Sequence, residues 1–170
     1  MILIFASLAI ILTYVGVMVE RNGIPSSISD TFYSLKHKVW FGFSMIGTAL
    51  LLMPSLLSYT PEIYQFLAFL MCAGLCFVGV APNFKNGLDR PIHIAGASIA
   101  GLCSQIWTTL EEPFALFMWL AWILYIGISI KKNWKGDLIS CFVKCKPLFW
   151  AEVIAFAIVY FTLFFRYLLK

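Results

Sequence analysis

Charge is scarce in this chain: Lys and Arg together number 12 and Asp and Glu 8 among 170 residues, and there are two histidines. That leaves too little polar surface for a soluble domain of this length. Recognisable soluble-enzyme motifs are missing as well. There is no Gly-rich phosphate loop, no Gly-x-Ser-x-Gly elbow, no His-Glu-x-x-His and no dinucleotide fingerprint, which argues against ATP-driven transport by this chain alone. No ten-residue alternating pattern of a membrane β-barrel occurs. No basic cluster is interleaved with a nucleic-acid-binding module, so nucleic acid is not an expected partner.

What the chain has instead is six apolar runs, near residues 1–19, 39–58, 63–81, 92–108, 114–130 and 148–168. Each is close to the roughly twenty residues that cross a bilayer as a helix. Backbone polar groups cannot stay unpaired in hydrocarbon, so the runs should be helical. The expected fold is all-α: one transmembrane domain over 1–170, a bundle of six spans, with the lipid bilayer as its first partner. Pro61, Pro91, Pro113 and Pro147 each stand where a span begins, as suits a residue without an N–H to leave unpaired. Pro82 closes the third span, and Pro54 is expected to kink or end the second.

The basic residues orient the bundle. Arg21, Lys36, Lys38, Lys85, Arg90, Lys131, Lys132, Lys135, Lys144 and Lys146 fall in alternate loops, which lie on one side. The opposite loops hold Glu62, Glu111 and Glu112 and no Lys or Arg. The positive-inside rule then places the basic loops in the cytoplasm and both termini outside, in a plasma or inner membrane. No basic residue precedes the first run and no small-x-small cleavage site follows it, so it reads as a retained helix.

Two loops are longer. Residues 21–38 contain Ser27 and Asp30 at capping-box spacing, predicting a short helix before the second span. Residues 131–146 place Trp134, Leu138, Cys141, Phe142 and Cys145 on one helical face with lysines around the rest, the pattern of a short amphipathic interfacial helix. The Cys72/Cys76 and Cys141/Cys145 pairs read as small packing residues: cytoplasmic disulfides are disfavoured and no histidine accompanies either pair.

Ionisable groups are costly at span ends, and here they share an end. Glu20, Asp30, His37, Asp89, His93 and Glu152 all map to the basic side. Asp89 and His93, four residues apart, can share a helix face. That face continues through Ala97, Gly101, Ser104 and Thr108, a small and polar stripe that suits either close helix packing or a polar cavity. Taken singly, Asp89 reads as a helix cap, Asp30 as a loop cap, His37 as an exposed interfacial residue and Glu152 as the partner of a surface lysine. Taken together, Asp89, His93, His37, Glu152, Asp30 and Ser104 define a candidate site open to the cytoplasm.

Three functions suit such a site. The first is binding or translocation of a small polar solute or proton, with histidine and Glu152 as exchangeable groups; so small a carrier would favour a homodimer. The second is an intramembrane hydrolase acting on a lipid-like substrate. His37, Asp89 and His93 would then hold zinc, with an open position for water and Glu152 or Asp30 as base. This site logic is similar to that of the alkaline ceramidase and adiponectin-receptor group, where histidines and an aspartate hold a membrane-buried zinc. That group has seven spans and a His-x-x-x-His pair in its last helix, where this chain has six and only Glu152. The third is a non-catalytic accessory protein acting through protein or lipid contacts.

Overall fold

A computed structural model of the protein describes residues 1–85, 87–134 and 136–169. Among the described residues there are helices and no strands. The order is α1 (Ile2–Asn22), α2 (Thr31–Ser34), α3 (Val39–Tyr59), α4 (Gln65–Val80), α5 (Asp89–Glu111), α6 (Met118–Lys132), α7 (Leu138–Lys144) and α8 (Pro147–Leu168). Single 3-10 turns, Glu62–Tyr64 and Pro113–Phe117, lead into α4 and α6. Pro147 opens α8 and Pro113 opens the turn before α6, where their missing N–H groups cost nothing. Pro54 does not end α3, which runs on to Tyr59.

Five helical segments are long and apolar enough to cross a membrane: Ile2–Asn22, Val39–Tyr59, Glu62–Val80, Pro113–Lys132 and Pro147–Leu168. This is the composition of a multi-pass membrane protein. The sixth expected span, α5, is the longest helix, about 34 Å at 1.5 Å per residue. It is not among the five, because His93 and Gln105, with the Gly, Ser and Thr along the helix, lower its apolarity.

Packing runs α1 on α3, α3 on α4 and α4 on α5, with α8 against α5, α3 and α6. Glycines bring backbones together at two of these seams. A Cβ on Gly74 would sit 2.5 Å from the Gly96 carbonyl oxygen and 2.7 Å from the Ala100 nitrogen, so α4 and α5 touch main chain to main chain. At the α3–α4 seam a Cβ on Gly42 would meet the Gly79 carbonyl at 2.9 Å. Without a hydrophobic drive between helices in lipid, such close approach is how they gain contact. The core comprises Ile4, Phe41, Met45, Leu56, Trp107 and Leu163 with their neighbours. Outside it, α6 is the least buried span, presenting Leu120, Ile123, Leu124 and Ile128 outward.

The predicted interfacial helix is shorter than expected. It starts only at Leu138, where the Asp137 carboxylate caps the amides of Ile139 and Ser140, and Trp134 lies before it. Cys141 and Cys145 turn inward, while Leu138 is exposed. All five cysteines are free. Lys135, one of the basic residues of this connection, lies outside the described residues.

Candidate functional site

Residues 26–30, between α1 and α2, sit across the basic-loop end of the bundle. Their backbone cannot remain unpaired there, and helices converging on them supply the partners. The Ser26 carbonyl accepts the Phe149 N–H at 3.1 Å, one of the orphan amides in the first turn of α8. The Ile28 N–H donates to Glu152 Oε2 at 2.5 Å. Ser29 Oγ lies 3.0 Å from His93 Nε2. Asp30 pairs with Lys85, on the α4–α5 connection, and accepts from Ser26 Oγ. The segment is therefore tied to α8 twice, to α5 once and to the connection before α5 once.

His93 is held on both ring nitrogens. Its Nδ1 is 2.9 Å from the Ala81 carbonyl, which can only accept, so Nδ1 carries the proton. Nε2 of the neutral ring then accepts from the Ser29 hydroxyl. Phe84 stacks on the ring at 4.8 Å. Burial pushes the Asp30 carboxyl up, but hydrogen bonds from Lys85 and Ser26 and the lysine charge outweigh it and hold the group below its ordinary range.

Behind this plug lies a cavity of about 140 Å3 between α3, α4, α5 and α8. Its wall is mostly apolar, including Met45, Met71, Leu75 and Val159. Ser29, Cys72, Ser104 and Glu152 supply the polar side chains, and Ile28 and Ser29 close its basic end. The α5 stripe serves both roles open to it: Gly96 and Ala100 carry the contact with α4, while Ala97, Gly101 and Ser104 face the cavity. A Cβ on Gly101 would meet nothing within 4 Å.

Of the six candidate residues, the plug joins Asp30, His93 and Glu152, and the cavity joins Glu152 and Ser104. Asp89 and His37 stay apart from them. Asp89 is half-buried, leaves the α5 N-terminus without a side-chain cap and makes no hydrogen bond or ion pair among the described residues. His37 is exposed. No three His, Cys, Asp or Glu side chains among the described residues form a group that could hold a metal, so His37, Asp89 and His93 do not converge as three ligands. The lysine expected beside Glu152 is also not found among the described residues; a backbone N–H takes its place. The capping box is half formed: the Asp30 N–H bonds Ser27 Oγ, but the Asp30 side chain turns to Lys85 and Ser26.

Sequence reasoning missed Ser29 and Ile28, whose partners lie 64 and 124 residues away. It also missed a cluster at the other end. Glu111, its side chain fully buried, forms an ion pair with Arg166, Oε2 to Nε 2.9 Å. Trp107, also fully buried, donates from Nε1 to Thr60 Oγ1 at 2.7 Å. One signal was available for the first pair: Arg166 lies within the last apolar run, where a cation needs a partner.

Neither protein-family models, nor characterised proteins, nor solved structures match this chain.

Proposed function

We propose that the protein is a six-span membrane-embedded binding protein, with its basic loops in the cytoplasm and both termini outside, whose central cavity takes a small, largely apolar molecule with a hydrogen-bond-donating head. The sixth crossing is α5: it starts beside Ala81, where α4 ends, and ends beside Thr60, just before α4 begins, so it returns the chain across the thickness that α4 covers. The observation that carries the functional reading is Glu152, a carboxylate in the wall of an otherwise apolar cavity, held by a single backbone N–H of the plug. The carboxyl oxygens of Glu152 accept hydrogen bonds, so they suit an alcohol or amine head. A cavity of this size accommodates about one six-membered ring. The apolar wall favours such an amphiphile over the polar solute suggested by the residue types alone.

Binding rather than passage is supported, because the cavity lining stops at Leu52 and Ser104 and the next residues toward the acidic end, Leu56, Trp107 and Thr108, are fully buried. The test is thermal unfolding of the detergent-purified chain against a panel of cyclic alcohols and amines. A ligand at 100 times its Kd stabilises by about 2.7 kcal/mol. Gly101→Leu, which fills the cavity, should abolish the response, and Glu152→Gln should weaken it for amines most. A parent protein indifferent to the whole panel, or a response that survives Gly101→Leu, would overturn the reading.

A further inference from the structure

A second concavity, away from the central cavity, lies on the outside of the bundle between α1 and α3, with a volume of about 500 Å3. Thr13, Val17 and Arg21 recur at helical spacing along its α1 wall, and Trp40, Phe43 and Ser44 form its α3 wall. It is shut toward the acidic end where the helices meet: Ser7 Oγ donates to the Thr48 carbonyl at 2.9 Å, and a Cβ on Gly47 would touch Ile10 at 3.6 Å. It opens toward the basic loops. From Ile10 to Arg21 the groove runs about 16 Å along α1, close to the depth of one leaflet of a bilayer core about 30 Å thick.

Arg21 stands at the open mouth, exposed, with no ion pair or hydrogen bond among the described residues. Beside it Trp40 is 58% exposed, the residue type that settles at the level of lipid headgroups. An apolar slot one leaflet deep, ending at an unpaired guanidinium, is complementary to one acyl chain and the phosphate above it. We infer that the α1–α3 groove is a binding site for an anionic phospholipid of the leaflet on the basic side, its chain along Thr13, Val17 and Phe43 and its phosphate on Arg21. The geometry uses nothing of the central cavity, so the two sites stand or fall separately.

Native mass spectrometry of the full chain in detergent, titrated with phosphatidylglycerol or with phosphatidylcholine of the same acyl composition, tests this. The parent should hold the anionic lipid at least about fivefold more tightly, the worth of one arginine beside an anionic headgroup. Arg21→Gln should erase that preference, weakening phosphatidylglycerol more than phosphatidylcholine. Thr13→Trp, at an exposed position inside the groove, should weaken both lipids. The double change Lys131→Gln and Lys132→Gln should alter neither. Equal binding of the two lipids by the parent, a preference that survives Arg21→Gln, or the same loss in the lysine control would overturn the assignment. So would a Thr13→Trp protein that changes its oligomeric state with lipid affinity intact, since that would make the groove a contact between copies. Arg21 and Thr13 are both exposed, so these variants keep the core, and the shift of Tm by phosphatidylglycerol reports the same comparison independently.

Discussion

At the acidic end of the bundle Leu56, Trp107 and Thr108 are fully buried, and the Glu111–Arg166 pair joins α5 to α8. At the basic end the same two helices are joined through residues 26–30, by His93 to Ser29 on one side and Glu152 to Ile28 on the other. One closure is made of side chains belonging to the long helices themselves; the other is a loop held by a few hydrogen bonds. Interhelical hydrogen bonds within a membrane are worth on average about 0.6 kcal/mol each, whereas removing a buried tryptophan costs about 3–5 kcal/mol. The difference teaches which end can open. Loosening the loop would widen the basic end of the cavity, which also opens beside α5, where the lining residue Ala97 is exposed.

The largest expected effect lies at the acidic end. Trp107→Ala should lower stability by about 3–5 kcal/mol, read as loss of the folded fraction in a denaturant titration in detergent micelles. Arg166→Met, which strands a buried carboxylate, should cost about 2–3 kcal/mol, less than a fully buried pair because Arg166 is partly exposed. Adding Glu111→Gln to it should recover most of that loss. A double variant no better than the single one would show that the pair's charges are not what fastens this end.

Changes at the basic end should be smaller in stability but larger in access. In a chain whose only cysteine is Cys72, a cavity residue, alkylation by a small maleimide should be slow and should quicken severalfold in Ser29→Ala. The global cost of that change should stay near 1 kcal/mol. Arg166→Met at matched stability should leave the labelling rate unaltered, and equal acceleration by the two variants would erase the distinction between the ends.

The smallest expected effect is that of pH on the Asp30–Lys85 pair, a partly exposed contact worth under about 1 kcal/mol. The Asp30 carboxyl is held below its ordinary value, so its contribution is complete above the unfolded value of about 4 and disappears as pH falls through the depressed one. Hydrogen exchange of the amides in residues 28–32, corrected for intrinsic rates, should therefore show no contribution from this group between about pH 5 and 8 and faster opening only in acid. Asp30→Asn should bring the faster exchange to neutral pH.

Much of this architecture is legible in residue order. The apolar runs become helices, five of them long and apolar enough to cross a membrane, because in lipid a helix is the one way for a single segment to satisfy its own backbone, and Pro61, Pro113 and Pro147 stand at helix beginnings. Glu152 and His93 stand out on the same ground, as polar groups where polarity is costly. The α5 stripe is legible as a small-residue face, yet whether Gly101 meets a neighbouring helix or a void cannot be read from a face. That depends on α8 running apart from α5 there while α4 closes on Gly96 and Ala100.

Periodicity and charge by themselves determine the helical class, the segments able to cross a membrane and the two unlike ends, since these follow from short-range backbone demands and from the sign of each loop. The tertiary structure alone decides that Ser29 meets His93, that Ile28 rather than a lysine answers Glu152, that His37 and Asp89 stand aside, and that Glu111 finds Arg166. Those pairings join residues far apart in the chain through the relative placement of whole helices, and helix placement is settled by glycine seams and packed side chains whose partners no local pattern names.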